Sequence, residues 1–206
     1  MNKLKKKLMV NVKEPQNNFL GRLLLKKMNN YHSLMSVWGL SHASFARKNL
    51  VLDIGCGGGK NLQRMLKTSS SLNAIGIDVS AASVELSKKK NRRAVKSGRL
   101  QVVQGQVESL PFASNLFDLE TAFETIYFWD LERGFAEVYR TLKKGGQFLI
   151  VNEARSEEGL KDYVNTIGFS VYDKPEIEKA LKNAGFKHIR IDLHENGSWI
   201  CAVCEK

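Results

Sequence analysis

The sequence predicts an α/β protein: a doubly wound, seven-stranded sheet, mostly parallel, that ends in an antiparallel hairpin strand and is preceded by a helical segment. Three observations carry this reading. From residue 50 onward, short apolar runs alternate with helix-patterned stretches, the order that builds parallel strands joined by crossover helices. Only Glu195-Asn196-Gly197-Ser198 separates the last two runs, and Asn-Gly is a strong tight-hairpin signal. Residues 1–49 have no strand pattern. Leu20, Leu23, Leu24 and Met28 recur at helical spacing, and Tyr31, Leu34, Met35 and Trp38 continue it, which predicts a cap or lid of one or two helices ahead of a domain at residues 50–206.

Taken in order, the expected strands are Leu50–Ile54, Asn73–Asp78, Leu100–Gly105, Phe117–Phe123, Gln147–Asn152, His188–His194 and Trp199–Glu205. A helix of the Lys60–Leu66 type follows the first strand. Ser80 can cap a helix that runs to about Lys90, with Glu85 and Lys89 paired one turn apart. Asp130 can cap the next, in which Leu131, Phe135, Val138 and Leu142 share a face until Gly145-Gly146 stops it. Pro175 near a start and Gly185 past an end bracket another, and Leu160, Tyr163, Val164 and Ile167 suggest a short helix within residues 154–169.

Composition sets broad limits. The 206 residues fit one domain, and 43% hydrophobic with 26% charged residues is ordinary for a soluble protein. No apolar run is long enough to span a membrane, and the basic start lacks the apolar stretch of a secretion signal, so a cytoplasmic location without membrane contact is expected. Cys201 and Cys204 spell C-x-x-C in a run that alternates like a strand, so their sulfurs fall on opposite faces. Nothing completes a ligand set around them, and no metal is expected.

The most informative segment is Val51-Leu52-Asp53-Ile54-Gly55-Cys56-Gly57-Gly58-Gly59, where a buried strand runs into a turn nearly free of side chains. Glycines there let a ligand approach the main chain, the following helix start offers N–H groups to an anion, and Asp53 suits an ammonium group. An amino-acid moiety meets both needs. A nicotinamide-dinucleotide site also begins with strand, glycine loop and helix, but its fingerprint needs a sixth-position glycine, and from Gly55 that position is Lys60. The next strand ends Ile75-Gly76-Ile77-Asp78-Val79, which puts an acid where it can accept both hydroxyls of a ribose. Gln104-Gly105-Gln106-Val107-Glu108 and Leu142-Lys143-Lys144-Gly145-Gly146 follow at later strand boundaries.

In order and spacing these segments resemble the class I S-adenosylmethionine-dependent methyltransferases, nearest to the branch that includes quinone, sterol and other small-molecule enzymes. The resemblance covers about residues 48–152. It implies a Rossmann-like sheet with an antiparallel final strand and S-adenosyl-L-methionine as cofactor. It further implies that Asp53, Gly55, Cys56 and Gly57 hold the methionine part, that Asp78 holds the ribose, and that Val79, Gln106 and Val107 meet the adenine. Phe123 would stand beside the transferable methyl group. Gln106 replaces an acid usual in the family, although its amide carbonyl can still accept a bond, and Lys144 replaces a proline.

Glu124, directly after the fourth strand, is the best general-base candidate; the alternative is that it caps the next segment or binds the cofactor's amino group. Tyr127, Phe128 and Trp129 can line an acceptor pocket or fill core. Tyr31, His32 and Trp38 reach the site if the N-terminal helices close over it, with His32 a second catalytic candidate and the two aromatic residues substrate contacts. The expected activity is methyl transfer to a small-molecule O, N, S or C acceptor. The alternatives are an RNA or protein substrate, and a cofactor-binding protein without transferase activity.

The net charge of +11 bears on that choice. Residues 1–50 hold ten Lys/Arg against one acid and residues 51–100 ten against three, while the second half is slightly acidic. Such asymmetry can mark a polyanion-binding face, or simply a solvated lysine-rich surface. RNA is the weaker alternative because no aromatic-rich strand surface suited to stacking bases is evident. RNA binding measured by filter retention at several salt concentrations is therefore expected to be weak and to vanish near physiological salt. Each phosphate contact adds roughly 0.7–0.9 to the logarithmic salt slope, so submicromolar, sequence-selective binding at physiological salt would instead make RNA the acceptor.

Overall fold

The computed structural model of the chain describes residues 33–46, 48–154, 170 and 172–206. Its sheet contains β1 (Leu50–Ile54), β2 (Asn73–Asp78), β3 (Leu100–Gln104), β4 (Phe117–Phe123), β5 (Leu142–Glu153), β6 (Lys187–Leu193) and β7 (Trp199–Glu205). The strand order is β3-β2-β1-β4-β5-β7-β6. The first five strands run parallel, and β7 lies antiparallel between β5 and β6. The described helices are α1 (Ser33–Leu40), α2 (Lys60–Leu66), α3 (Ala81–Lys90), α4 (Arg92–Lys96), α5 (Leu131–Thr141) and α6 (Lys174–Asn183). The predicted mixed, seven-stranded Rossmann-like fold is the one formed.

Alternation along the strands divides the core into two layers. Leu52 and Ile54, Phe148 and Ile150, and Ile200, Ala202 and Cys204 face α5 and α6, where Phe135, Val138, Ile177 and Leu181 meet them. Val51, Leu149, Val151, Cys201 and Val203 face the other way, toward Met35 of α1, Leu62 and Met65 of α2 and Val84 of α3. Cys201 and Cys204 therefore lie on opposite faces, both buried and both free thiols. In β4 the pairing with β5 shifts between Phe117 and Leu119, and this irregularity turns those two side chains into different layers despite their spacing of two.

The polar punctuation expected of the helices is largely present. Ser80 Oγ accepts from Ser83 N, and Asp130 Oδ1 accepts from Arg133 N. Asp173 and Glu176 form a reciprocal capping box, with Pro175 inside the first turn of α6. Gly185 follows with φ of 99°, and Gly197 of the hairpin turn has φ of 68°.

Four local expectations are corrected. Helix α5 stops at Thr141, before the two glycines, because Leu142 packs at 0% exposure opposite Phe117 and the chain is already in the sheet. Gly145 and Gly146 then bond to Lys206 and prolong β5 backward. Glu85 pairs with Lys88 at 4.0 Å, three residues on, and not with Lys89. Strands β3 and β6 end one residue earlier than expected, at Gln104 and Leu193. In α1 the buried face is Met35, Ser36 and Gly39, whereas Leu34 is 74% exposed. The close approach of Gly39 to the sheet sets this face. A Cβ at Gly39 would lie 2.3 Å from Val151 Cγ2, so the helix backbone rests on β5. The helices expected within residues 1–32 and 154–169 fall on segments outside the described residues, apart from Ala154.

Gly39→Ala tests this seating. Val151 is wholly buried and β-branched, so it has little room to give, and overpacking of this kind costs about 1–3 kcal/mol. Denaturant unfolding should show a correspondingly lower midpoint, and an unchanged midpoint would mean that α1 is not docked through Gly39.

Candidate active site

Strand order reverses direction at β1, which lies between β2 and β4, and the crevice this opens at the carboxyl ends of the strands is where open α/β sheets hold ligands. A cleft is found there. Its floor and walls include Asp53, Gly55, Cys56 and Gly57 from β1 and its turn, Asp78 and Val79 after β2, Val107 after β3, and Phe123, Glu124 and Trp129 after β4.

The glycine turn is tied to the end of β2. Gly55 N and Cys56 N both donate to Ile77 O, at 2.8 and 3.0 Å. Gly57 N donates to Asp78 Oδ2 at 2.8 Å, and Ser80 N donates to Asp78 Oδ1 at 2.9 Å. Two glycines here have backbone angles that disfavour a side chain, and the first is required by space as well. Gly55 has φ of 72°, and a Cβ there would overlap Thr125 Oγ1. Gly57 has φ of 50° with nothing within 4 Å of its would-be Cβ, which leaves an open cradle beside the main chain.

Four carboxyl groups line this space, those of Asp53, Asp78, Glu108 and Glu124. Asp53 is 2% exposed and accepts from Thr121 Oγ1 at 2.7 Å. Burial, and secondarily the charge of Asp78, push its pKa up to about 7 despite the Thr121 bond. Glu124 sits with φ of 56°, an uncommon conformation for a side-chain-bearing residue. Its Oε1 accepts from Glu153 N at 2.6 Å and from Tyr127 Oη at 3.1 Å. Burial, and then the charge of Glu153, raise its pKa to about 8. Cys56 is buried, and burial pushes its thiol well above the usual range, so it is a packing residue of the turn and not a nucleophile.

The sequence-predicted residues separate into three groups. Asp53, Gly55, Cys56, Gly57, Asp78, Val79, Val107, Phe123, Glu124 and Trp129 all line the one cleft. Gln106 and Tyr127 do not. Gln106 is an exposed residue just before a 3-10 turn at Val107–Ser109, and Tyr127 reaches the site only through its bond to Glu124. Trp38 is also corrected. Its ring stands 4.7 Å from His42, 5.1 Å from His194 and 6.1 Å from Trp199, so it joins α1 to the β6–β7 hairpin and does not face the cleft. Tyr31 and His32 lie outside the described residues.

Several cleft residues were not anticipated. Thr125 Oγ1 accepts from Trp129 Nε1 at 3.1 Å and packs against Gly55. Ser36 of α1 and Lys60, Asn61 and Arg64 of α2 form another wall. The spacing of Lys60 and Arg64 by four, immediately after the glycine turn, was a usable signal for a shared basic face.

Comparison with known proteins agrees with this geometry. Residues 52–150 match the family model described as a methyltransferase domain. An uncharacterized methyltransferase of Bacillus subtilis is 27% identical over 175 residues, 84% of this chain and 91% of that protein. A ubiquinone/menaquinone biosynthesis C-methyltransferase of Geotalea daltonii is 33% identical over 139 residues, 66% of this chain but only 58% of that longer protein. Among solved structures, a putative methyltransferase in complex with the Haloferax volcanii Trm112 activator superposes with a TM-score of 0.77 at 19% identity, covering 88% of this chain and 92% of the other. Residues 52–150 thus form a methyltransferase domain of the class I S-adenosylmethionine-dependent type, the family whose cofactor is S-adenosyl-L-methionine.

Proposed function

We propose that the protein moves a methyl group from S-adenosyl-L-methionine to a small-molecule acceptor, with Glu124 as the general base where the acceptor must lose a proton. The observation that carries this reading is the facing of a glycine cradle by carboxyl groups that include Asp53, Asp78 and Glu124 in one cleft. A methyl donor of this kind carries a sulfonium and an ammonium group, and buried carboxyl groups are a fitting surface for positive charge. The open space at Gly57 suits close approach of a ligand to the main chain. The residues present therefore fit the cofactor.

In this reading Asp78 holds the ribose hydroxyls while its two backbone bonds keep it fixed, because a carboxylate oxygen can accept more than one hydrogen bond. Asp53, pinned by Thr121, faces the amino-acid portion. Val79, 40% exposed, and Val107 offer apolar contact to the adenine. When bound, the cofactor supplies an electrophilic methyl group that needs no metal. What remains for the chain is to orient the acceptor lone pair, exclude water and accept a proton. Glu124 is suited to accept that proton, because two donors fix its Oε1 and its raised pKa brings proton exchange into the neutral range. Ser36 of α1 forms part of the cleft wall, which supports a capping role for the segment ahead of β1. Among the described residues no helix is long and apolar enough to cross a membrane, and the three free, buried cysteines suit the reducing cytoplasm in which we place the protein.

The sign of the pH dependence follows from Glu124. Its carboxyl is mostly protonated below about pH 8, and the basic form accumulates as pH rises through that value. A bound cation lowers the midpoint. Turnover at saturating cofactor should thus rise with pH to a plateau, with its midpoint at or below about 8. Glu124→Gln should lower turnover at least about 100-fold and flatten the profile while leaving S-adenosylhomocysteine affinity nearly intact. Equal losses of affinity and turnover would make Glu124 a cofactor-binding residue.

Asp78→Ala removes a charged acceptor for two hydroxyls and should weaken S-adenosylhomocysteine binding by about 1.5–3 kcal/mol. Titration calorimetry measures this directly, and unchanged affinity would remove Asp78 from the ribose site.

A further inference from the structure

The cleft is bipolar. Carboxyl groups line the ends of the strands, but the wall built by α1 and α2 presents Ser36, Lys60, Asn61 and Arg64. Among the described residues Arg64 is held by neutral partners: its Nη1 donates to Asn61 Oδ1 at 2.6 Å, and its Nη2 donates to Ser33 O at 3.3 Å and to the Ser33 hydroxyl. Among those same residues no acid forms an ion pair with Lys60, Arg64 or Lys90, although Lys88, a near neighbour of Lys90 on α3, has one with Glu85. Lys60 and Arg64 thus line one wall with no compensating charge from the described residues, and Lys90 lies beside it, because Asn91 Nδ2 donates to Gly59 O at 2.9 Å and so holds the end of α3 against the start of α2.

We propose that Lys60, Arg64 and Lys90 form a phosphate-binding subsite at the cleft rim, which takes the phosphate or diphosphate group of the methyl acceptor. The proposal rests on the methyltransferase reading above and names the acceptor class that reading left open. A guanidinium already oriented by neutral acceptors, with two ammonium groups near it, matches the charge and the several acceptor oxygens of a phosphate ester better than those of a single carboxylate. In keeping with that contact between α3 and α2, the Lys90 ammonium is drawn below its ordinary pKa first by burial and then by repulsion from Lys60 and Arg64. A bound polyanion relieves that repulsion. The arrangement also separates two jobs in space: positive parts of the ligands meet the carboxyl groups at the strand ends, and the anionic handle of the acceptor stays on the rim.

The competing source of negative charge is the carboxylate of the cofactor, and the test distinguishes the two. Inorganic pyrophosphate is titrated calorimetrically into the full chain saturated with S-adenosylhomocysteine, and S-adenosylhomocysteine is titrated separately. For the double variant Lys60→Gln, Lys90→Gln, pyrophosphate affinity should fall at least tenfold, while S-adenosylhomocysteine affinity changes less than twofold. Lys89→Gln, a control at an exposed position of the same helix, should alter neither. If S-adenosylhomocysteine affinity falls in step with that of pyrophosphate, the cations serve the cofactor and the proposal fails. It also fails if wild type and double variant bind pyrophosphate equally. Should the wild type bind pyrophosphate but no S-adenosylhomocysteine, the methyltransferase reading falls and the rim remains an anion site.

Discussion

The carboxylate of Asp78 accepts from Gly57 N at 2.8 Å and from Ser80 N at 2.9 Å, and through these bonds it joins the two turns that leave β1 and β2. Much of the cleft follows from that junction. The turn after β1 has almost no side chains with which to hold itself in place, and its own ladder ends at Ile54. Two further bonds, from Gly55 N and Cys56 N to Ile77 O, fasten it to the last residues of β2. Ser80, oriented by the same carboxylate, then caps α3, so the acid that lines the cleft also determines where the next helix starts. A group engaged in this way is fixed before any ligand arrives, which reduces the ordering cost of binding.

Burial gives the neighbouring acids a different character. Asp53 and Glu124 are removed from water and lie near other acids, and burial is the leading cause of both raised pKa values. Each keeps a short bond from a donor, Thr121 Oγ1 in one case and Glu153 N in the other, so neither is left without a partner. Near neutral pH both exist as mixtures of charged and uncharged forms. A cation entering the cleft favours the charged forms and is in turn held by them, and that reciprocity couples ligand binding to proton release. Cys56 experiences the same burial without any such outlet and is simply kept neutral.

Most of the fold was legible in local chemistry. Ser80, Asp130 and Pro175 mark helix starts that the structure contains, and Asn196-Gly197 marks the hairpin that inserts β7 between β5 and β6. These signals act over one turn of chain, so the sequence displays them directly. Features fixed by distant partners were not legible. Gly145-Gly146 looked like a helix stop, but bonds to Lys206, about sixty residues later, draw that stretch into the sheet. The buried face of α1 depends on a glycine resting against Val151, and a pattern that counts large apolar side chains passes over it. Trp38 reaches the ligand only if the N-terminal helices close over the site; its actual neighbours, His194 and Trp199, come from the far end of the chain. The carboxyl-lined side of the cleft was readable because strand ends and glycine turns place it. Its basic rim was not, because α1, α2 and α3 must first come together.

Among the described residues three that bear side chains have positive φ, Asn115, Glu124 and His188, and of these Glu124 stands in the cleft. Gly55, Gly57 and Gly59 all have positive φ within five residues, and Glu124 adopts 56° without the freedom of a glycine. A side-chain-bearing residue in that region is held against its own preference, at a cost on the order of 1–3 kcal/mol. The restraints are visible: Glu124 N donates to Val151 O at 2.9 Å, and Glu124 Oε1 accepts from Glu153 N, so both ends of the residue are bound to the same stretch of β5. A relaxed backbone would carry the carboxyl group away from that stretch and break the bond to Tyr127 as well. The wholly buried β5 side chains Leu149 and Val151, packed between layers, supply the rigidity against which this conformation is maintained. Position and proton affinity of the carboxyl group are thus set by one constraint, because the conformation that aims Glu124 into the cleft is also the one that buries it.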